Sequence, residues 1–186
     1  MMRYIAFLRA INVGGRSVKM ERLRQLFESF GFSHVETFIA SGNVIFKSPS
    51  QDTKTLEKTI ANQLQEALQF EVATFIRTAV ELVEITDYKP FQDADMSSAM
   101  ALNIAFLTQP IEAEAQQRLM ALRTEIDDFH IHQRQIYWLC RKKQSESSFS
   151  NGVLEKTLKQ QATLRSFNTI KKLAAKYSVS ESGSGE

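Results

Sequence analysis

The sequence predicts an α+β fold of two tandem α/β plaits, the subdomains known as ferredoxin-like. Three observations support this prediction. Short runs that alternate apolar and polar residues indicate strands, and runs with apolar residues three or four positions apart indicate helices. In the first half these runs follow the order βαββαβ, which is the order of the plait. The second half repeats the order but shows no clear final strand.

The first half of the chain supplies all six elements. A strand is predicted over residues 3–10, and the helix that follows ends at Gly31. Two strands then flank a turn at residues 41–43, and a second helix begins near Asp52, a residue type that caps helices. Residues 71–77 are rich in β-branched and aromatic types, so they predict a fourth strand, which the pattern allows in either sheet.

The second half is predicted from the same kinds of pattern. Its elements are a short helix at residues 79–85, a strand at 101–107, a helix that starts at Pro110, a hairpin with strands at 129–132 and 135–140, and helices at 153–158 and 164–177. Thr163 is the expected cap of the last helix.

These elements divide the chain into two related subdomains. The predicted parts are a first subdomain at residues 1–78, a connecting helix and loop at 79–99, a second subdomain with the C-terminal helices at 100–178, and a disordered tail at 179–186. Both faces of the strands at 3–10 and 101–107 are apolar, so each sheet should be covered on both sides, by its sister sheet or by another subunit. This pattern argues against an open RNA-binding platform, and it allows a homodimer or an exchange of strands between the subdomains.

Composition and cysteine usage are those of an ordinary soluble protein. The chain has 186 residues, of which 43% are hydrophobic and 24% charged. We expect no membrane association, because no stretch is long enough to cross a bilayer and the N-terminal residues do not resemble a signal peptide. Cys140 is the single cysteine, so it allows no internal disulfide and no cysteine metal cluster, and a cytoplasmic location is expected.

Charge is distributed unevenly along the chain. Residues 1–24 carry a net charge of +5 and residues 141–176 carry +7, whereas residues 25–140 carry −8. If the fold brings the basic ends together, they would form a positive surface suited to phosphate groups or to an acidic partner. The alternative is that these cations are spread over the solvated faces of the last helices.

The stretch between the first predicted strand and the first helix is the candidate functional site. Gly14 and Gly15 allow positive φ angles and a close backbone approach, and Ser17 is positioned to cap the following helix. Three cations surround this turn: Arg9, Arg16 and Lys19. A helix N-terminus beside cations favours an anion. A purely structural turn remains the alternative, because the glycine spacing matches neither the P-loop nor the dinucleotide-binding pattern.

Several motifs resemble those of one bacterial protein family. They are Leu8-Arg9-Ala10-Ile11-Asn12-Val13-Gly14-Gly15, Lys19-Met20, Gly31-Phe32, Ser41-Gly42-Asn43-Val44-Ile45-Phe46, Leu154-Glu155-Lys156 and Ala162-Thr163-Leu164-Arg165. On these motifs the chain resembles the Domain of Unknown Function 1697 family, whose usual opening motif is LRGINVGG. It departs from that family at Ala10, usually glycine, and at Ser166-Phe167, usually Asn-Trp. The resemblance implies a duplicated ferredoxin-like fold and no known activity.

A late segment adds two polar side chains to the candidate site. Arg165 and Asn168 would lie off the apolar stripe of the last predicted helix, and a guanidinium with an amide suits a phosphate or carboxylate. The complete set of candidate ligand-binding residues is Arg9, Asn12, Gly14, Gly15, Arg16, Lys19, Ser41, Asn43, Arg165 and Asn168.

Other chemistry has weaker support in the sequence. His130 and His132 alternate on one strand but lack accompanying ligands at metal spacing, so we expect no metal and no cofactor. Cys140 is expected to be a buried and inert thiol.

Three functions remain open from the sequence. The first is a non-catalytic module that binds a phosphate-bearing small molecule or the backbone of a nucleic acid at the Gly-Gly loop. The second is an enzyme that acts on a phosphorylated small molecule held by the same loop, although no nucleophile, base or metal set is evident. The third is a scaffold protein that self-associates through its apolar sheet faces.

Overall fold

The computed structural model describes residues 1–39 and 42–178, so Ser41 and the predicted tail at 179–186 lie outside the described residues. The first half contains β1 (Met2–Leu8), α1 (Met20–Ser29), β2 (Ser33–Thr37), β3 (Asn43–Ser48), α2 (Thr53–Leu68), β4 (Thr74–Thr78) and α3 (Ala79–Asp87). The second half contains α4 (Asp93–Ser98), β5 (Ala101–Phe106), α5 (Ala113–Met120), β6 (Asp127–His132), β7 (Gln135–Cys140), a 3₁₀ turn (Gln144–Glu146), α6 (Asn151–Leu158), β8 (Thr163–Ser166) and α7 (Phe167–Tyr177).

The two halves form separate antiparallel sheets with the same topology. The strand order is β2-β3-β1-β4 in the first sheet and β6-β7-β5-β8 in the second. In each sheet the first strand of the half is central, and the last strand lies at an edge. The predicted α+β fold of two tandem ferredoxin-like subdomains is therefore confirmed, and each sheet is built from strands of its own half.

The second subdomain has the fourth strand that the sequence pattern did not show. Residues 163–166 form β8 and pair with β5, in the register Ile104 opposite Arg165. Leu164 and Phe167 are spaced like helical positions, and this spacing predicts that Leu164 and Arg165 belong to the last helix. That assignment is wrong, and the helix begins at Phe167 with Ser166, not Thr163, as its cap.

Among the described residues the core forms three clusters, one on the outer face of each sheet and one between the two sheets. The outer face of the first sheet packs against α1 and α2, and the outer face of the second packs against α5 and α6. The inner faces meet each other together with α3 and α7. At the centre of this middle layer Phe7 stacks on Phe106, with 4.2 Å between ring centroids and 9° between ring planes. The sister sheet is thus the partner that covers each apolar inner face.

The first and last segments of the chain lie together. Arg3 donates a hydrogen bond to the Tyr177 carbonyl oxygen at 3.1 Å, and Arg165 donates to the Leu8 carbonyl oxygen at 3.0 Å. The two basic ends therefore converge, although Arg165 is buried. Within the described residues, every helix is too short or too polar to span a bilayer.

Candidate functional site

The opening loop joins β1 to α1 and is held by its own residues. Ile11 and Val18 are buried and anchor the two ends of the loop in the first core cluster. Asn12 accepts a hydrogen bond from the Val18 backbone N–H at 2.7 Å, which closes the loop across six positions. Residues 12–17 between these anchors are exposed. The sequence thus produces a fixed, solvent-facing turn.

Two glycines form the tip of this loop. Gly14 has φ of 62° and Gly15 has φ of 79°, which is the left-handed region that glycine adopts without strain. A Cβ atom built on either residue would meet no atom within 4 Å. The backbone of both residues is therefore open to a molecule that approaches from solvent.

The N-terminus of α1 lies directly after the loop. Its N-cap is Lys19, whose side chain makes no capping hydrogen bond, so the prediction that Ser17 caps this helix is wrong. The first N–H groups of a helix have no partner inside the helix and carry a partial positive charge. Lys19 is exposed and adds its ammonium group at the same end. This arrangement favours an anion at the start of α1.

Arg16 is held above an aromatic ring beside the loop. Its guanidinium carbon lies 4.7 Å from the centroid of Phe70, in a cation–π arrangement, and the residue is exposed. A guanidinium that stacks on one face keeps the N–H donors at its edge for an acceptor. Arg16 and Lys19 are thus the exposed cations of the loop.

Arg9 is engaged by an acid from the other half of the chain. Its guanidinium donates to both carboxylate oxygens of Glu155, at 2.5 and 2.7 Å. Glu155 also accepts a hydrogen bond from the Ala162 N–H at 2.9 Å. The bond to Glu155 raises the pKa of Arg9, so the guanidinium stays charged and the carboxylate compensates its charge. Arg9 therefore attaches the loop to α6 and, through Glu155, to the residue that precedes β8.

Arg165 lies below the loop, where it is buried. It donates to Asn43 Oδ1 at 2.7 Å, to the Leu8 carbonyl oxygen at 3.0 Å and to Thr163 Oγ1 at 2.8 Å. Burial lowers its pKa to about 10. Asn43 is fully buried and also donates to the Phe38 carbonyl oxygen at 2.9 Å. Both residues lie next to the loop, and their hydrogen bonds are with the ends of the strands that flank it.

Asn168 belongs to a different part of the surface. It is exposed in the first turn of α7, and it lines a cavity with Asn103 and Met100. The loop is connected through Arg9 and Glu155 to Ala162, which precedes β8, whereas Asn168 follows β8. The prediction that Asn168 completes the opening-loop site therefore lacks support, and Ser41 lies outside the described residues.

Sequence reasoning missed a buried charged cluster between the halves. Arg77 is fully buried, and it donates to Gln135 Oε1 at 3.0 Å and to the Leu107 carbonyl oxygen at 2.9 Å. Burial lowers its pKa to about 9. Glu57 is buried beside it and accepts a hydrogen bond from the Ile76 N–H at 2.8 Å, and burial raises the pKa of this carboxyl group. A single charged residue inside an apolar strand, such as Arg77 after Phe75 and Ile76, was the available signal.

The remaining candidate groups have partners within the protein. His130 Nε2 lies 2.7 Å from the Tyr88 hydroxyl oxygen, and the ring of His132 stacks on the same tyrosine at 3.9 Å. The expected burial of Cys140 is confirmed, and burial raises the pKa of its thiol, which keeps it protonated and unreactive. Asp127 is buried and accepts hydrogen bonds from Trp138 Nε1 at 2.8 Å and Ser147 Oγ at 2.8 Å. The two histidines and Asp127 are therefore engaged by other side chains of the protein.

Comparisons with known proteins identify the family and the fold of this chain, and they indicate no activity. A family model described as "Protein of unknown function (DUF1697)" matches residues 1–137. The solved structure of the conserved bacterial protein SP0830 from Streptococcus pneumoniae is similar to this chain with a TM-score of 0.74 and 21% sequence identity. The similarity covers 94% of this chain and 97% of that one, and at this identity it shows a shared fold. No curated protein sequence matches.

Proposed function

The chain belongs to the DUF1697 family of proteins of unknown function, so family membership does not indicate an activity. From the geometry of the opening loop we propose that the protein is a non-catalytic anion-binding module. The ligand carries phosphate, as a nucleotide, a sugar phosphate or the backbone of a nucleic acid, and the protein acts in the cytoplasm. The observation that carries the proposal is the exposure of Arg16 and Lys19 on one fixed loop, beside two open glycines.

Three features of the loop support binding of a phosphate group. The backbone at Gly14 and Gly15 is accessible, so its N–H groups can approach an oxyanion closely. The N-terminus of α1 lacks a side-chain cap and adds partial positive charge at the same place. The Arg16 guanidinium, stacked on Phe70, supplies a planar set of donors that suits phosphate.

The contacts around the loop favour binding over catalysis. Glu155, which binds Arg9 beside the loop, has oxygens that already accept hydrogen bonds from Arg9 and from the Ala162 N–H. Glu21 in the first turn of α1 is paired with Arg24. A general base needs an oxygen that can accept a proton from the substrate. The scaffold alternative was based on apolar sheet faces, and these faces are covered within the chain by the sister sheet and α3 and α7.

Titration calorimetry with inorganic pyrophosphate, ATP and a short single-stranded oligonucleotide tests the proposal. Arg16→Ala and Lys19→Ala should each weaken binding by about threefold to tenfold at low salt, because each removes one exposed charge from the site. Lys172→Ala is the matched control, since it removes an equally exposed cation from α7. The effect should shrink at high salt, where exposed charges are screened.

Two results would contradict this function. Binding that is unchanged in both loop variants would remove the site, and an equal loss in Lys172→Ala would indicate attraction to overall charge. A preference for ATP over the oligonucleotide would identify a small ligand, whereas a shared, salt-sensitive affinity would identify the nucleic-acid backbone.

A further inference from the structure

A cavity lies along the free edge of β4, between the two subdomains. Its volume is about 390 Å³, which is within the range of small-molecule sites. One face of α2, the start of β4, the segment after β5 and Gln161 form its described walls. These lining residues do not include any part of the opening loop, so the cavity is separate from the site of the proposed function.

The start of β4 presents a backbone donor at this cavity. The Arg9 N–H donates to the Ala73 carbonyl oxygen across the pairing of β1 with β4. Because an antiparallel ladder alternates, the N–H groups of Thr74 and Ile76 point away from β1. Glu57 Oε1 accepts from the Ile76 N–H at 2.8 Å. The Thr74 N–H has no acceptor among the described residues, and Thr74 lines the cavity, so this N–H can bind a ligand.

The second half fills the equivalent place with one of its own carboxylates. Thr74 and Ala162 are equivalent, because each lies three residues before the buried arginine in the last strand of its half. The Ala162 N–H donates to Glu155 Oε1 at 2.9 Å, and the same carboxylate binds Arg9. At Thr74 the first half has the cavity in place of this carboxylate. The comparison indicates that the carboxylate of a ligand fits there.

Two lysines give this part of the cavity a positive charge. Lys54 and Lys58 are exposed, and both line the cavity. They are four positions apart on α2, so they project from the same side of the helix. Glu57 is the one acid among the described lining residues, so the two lysines leave the lining with a net positive charge. A carboxylate at Thr74 is therefore attracted to the cavity.

Glu57 supplies an acceptor further along the same strand edge. Its Oε1 is used by the Ile76 N–H, whereas no group among the described residues donates to Oε2, which remains accessible. Burial raises the pKa of this carboxyl group, and a cation bound to it would favour its charged form. Ile76 is two positions beyond Thr74, a distance of about 6–7 Å along the strand. An ammonium group next to a carboxylate, each with one hydrogen bond of about 2.8 Å, covers this distance.

From these observations we propose that the cavity binds a free α-amino acid with an apolar side chain. The carboxylate accepts a hydrogen bond from the Thr74 N–H beside the two lysines, and the ammonium group donates to Glu57 Oε2. A simple carboxylate or a phosphate would bring an anion next to Glu57 without this pairing. The side chain of the ligand contacts the apolar lining residues, which are Ala61, Ala73 and Phe75.

An NMR titration of ¹⁵N-labelled protein with L-leucine, N-acetyl-L-leucine, isoamylamine and inorganic phosphate tests the proposal. We expect saturable shifts of the Thr74 and Ile76 N–H signals with L-leucine. N-acetyl-L-leucine lacks the ammonium charge and isoamylamine lacks the carboxylate, so each should bind at least about tenfold more weakly. Shifts that stay linear with L-leucine, an affinity for either analogue equal to that for L-leucine, or tighter binding of phosphate would overturn the proposal.

Glu57→Gln tests the role of the acid and keeps an acceptor for the Ile76 N–H. The variant should bind L-leucine at least about tenfold more weakly. Its affinity for N-acetyl-L-leucine should equal that of the wild type, because this compound has no ammonium group. Glu66→Gln is the matched control, since it removes the same charge from an exposed position of α2. An equal loss for both compounds would contradict the pairing of Glu57 with the ammonium group.

Ala61→Phe fills the cavity from α2 and keeps Thr74 and Glu57 in place. Ala61 is half-buried and lines the cavity, so the larger side chain occupies the space of the ligand. Binding of L-leucine should be lost. Ala67→Phe, at an exposed position of the same helix, should bind L-leucine as the wild type does, and urea denaturation checks that both variants are folded. Retained binding in Ala61→Phe would refute the site.

Discussion

Arg77 of the first half and Arg165 of the second half make equivalent contacts, each with the other half of the protein. Each Nε donates to the amide oxygen of the first residue of a strand in the other half, Gln135 for Arg77 and Asn43 for Arg165. Each guanidinium also donates to the carbonyl oxygen of the residue that precedes it, at 2.8 and 2.9 Å.

The third contact of each arginine reaches the end of the other half's central strand. Arg77 donates to the Leu107 carbonyl oxygen at 2.9 Å, and Arg165 donates to the Leu8 carbonyl oxygen at 3.0 Å. The last strand of each subdomain therefore fixes the strand end of its partner. Because the opening loop begins after Leu8, Arg165 helps to position the candidate site by binding the end of β1.

Removal of Arg165 should destabilise the whole protein. Arg165→Leu leaves the buried Leu8 carbonyl oxygen and the Asn43 amide oxygen without this donor, and we expect a loss of about 2–4 kcal/mol in the free energy of unfolding. Urea denaturation of Arg165→Leu, Asn43→Leu and the double variant should show a coupling of at least about 1 kcal/mol. Arg77→Leu with Gln135→Leu should give a similar cycle, and strictly additive losses would contradict the paired contacts.

Gly42 should tolerate substitution less well than the exposed glycines of the loop. A Cβ atom at Gly42 would lie 2.8 Å from Ile11 Cγ2, and its φ is 76°. We expect Gly42→Ala to cost about 2–4 kcal/mol through strain and overpacking. Gly15→Ala meets open space, so only its φ strain of about 1–2 kcal/mol remains. Thermal unfolding of the two variants should rank them in this order, and an equal cost would show that Ile11 moves aside freely.

The Arg9–Glu155 pair should stabilise the position of the loop. Arg9→Met removes both donors from a carboxylate whose side chain is 16% exposed, and we expect a loss of about 1 kcal/mol in stability. Arg24→Met is the control, because Arg24 pairs with Glu21 on the exposed face of α1 and such pairs contribute little. Chemical denaturation at low and high salt measures both. A loss in Arg9→Met no larger than that of the control would mean that α6 does not hold the loop.

Glu57 should make stability depend on pH. Burial raises the pKa of its carboxyl group above the ordinary value of 4.5, so the folded state binds a proton that the unfolded state has released. The stability linked to this proton is complete below pH 4.5 and is lost as the pH rises through the pKa of the folded state. Glu57→Gln stays neutral and can still accept from the Ile76 N–H. The variant should therefore gain stability relative to the wild type as the pH rises from 4.5 to neutral.

Urea titrations across this pH range provide the measurement for Glu57, with Glu66→Gln on the exposed face of α2 as the control. A stability difference that does not change with pH would contradict the raised pKa. A difference of opposite sign would mean that the attraction between Glu57 and Arg134, whose closest atoms are 3.8 Å apart, outweighs burial.

The sequence by itself determined the features that local patterns encode. Alternating and helical periodicity predicted the two-plait organisation and seven of the eight strands that the structure describes. The paired glycines predicted an exposed turn between β1 and α1. The single cysteine was correctly predicted to be buried. These properties follow from neighbours within a few positions in the chain.

Only the tertiary structure decided which cations face solvent. Arg165 and its acceptor Asn43 are 122 positions apart, and Arg9 and Glu155 are 146 positions apart. A guanidinium can be buried only where acceptors satisfy its donors. Arg165 obtains two of its acceptors, Asn43 and Leu8, from distant strand ends, and no local pattern reports them. The same contacts explain why the sequence pattern did not predict β8. A charged residue, Arg165, occupies a buried position of this strand, and its acceptors lie in the other half. The fold therefore leaves Arg16 and Lys19 exposed at the loop, uses Arg9 and Arg165 to hold it, and places Asn168 at a different cavity.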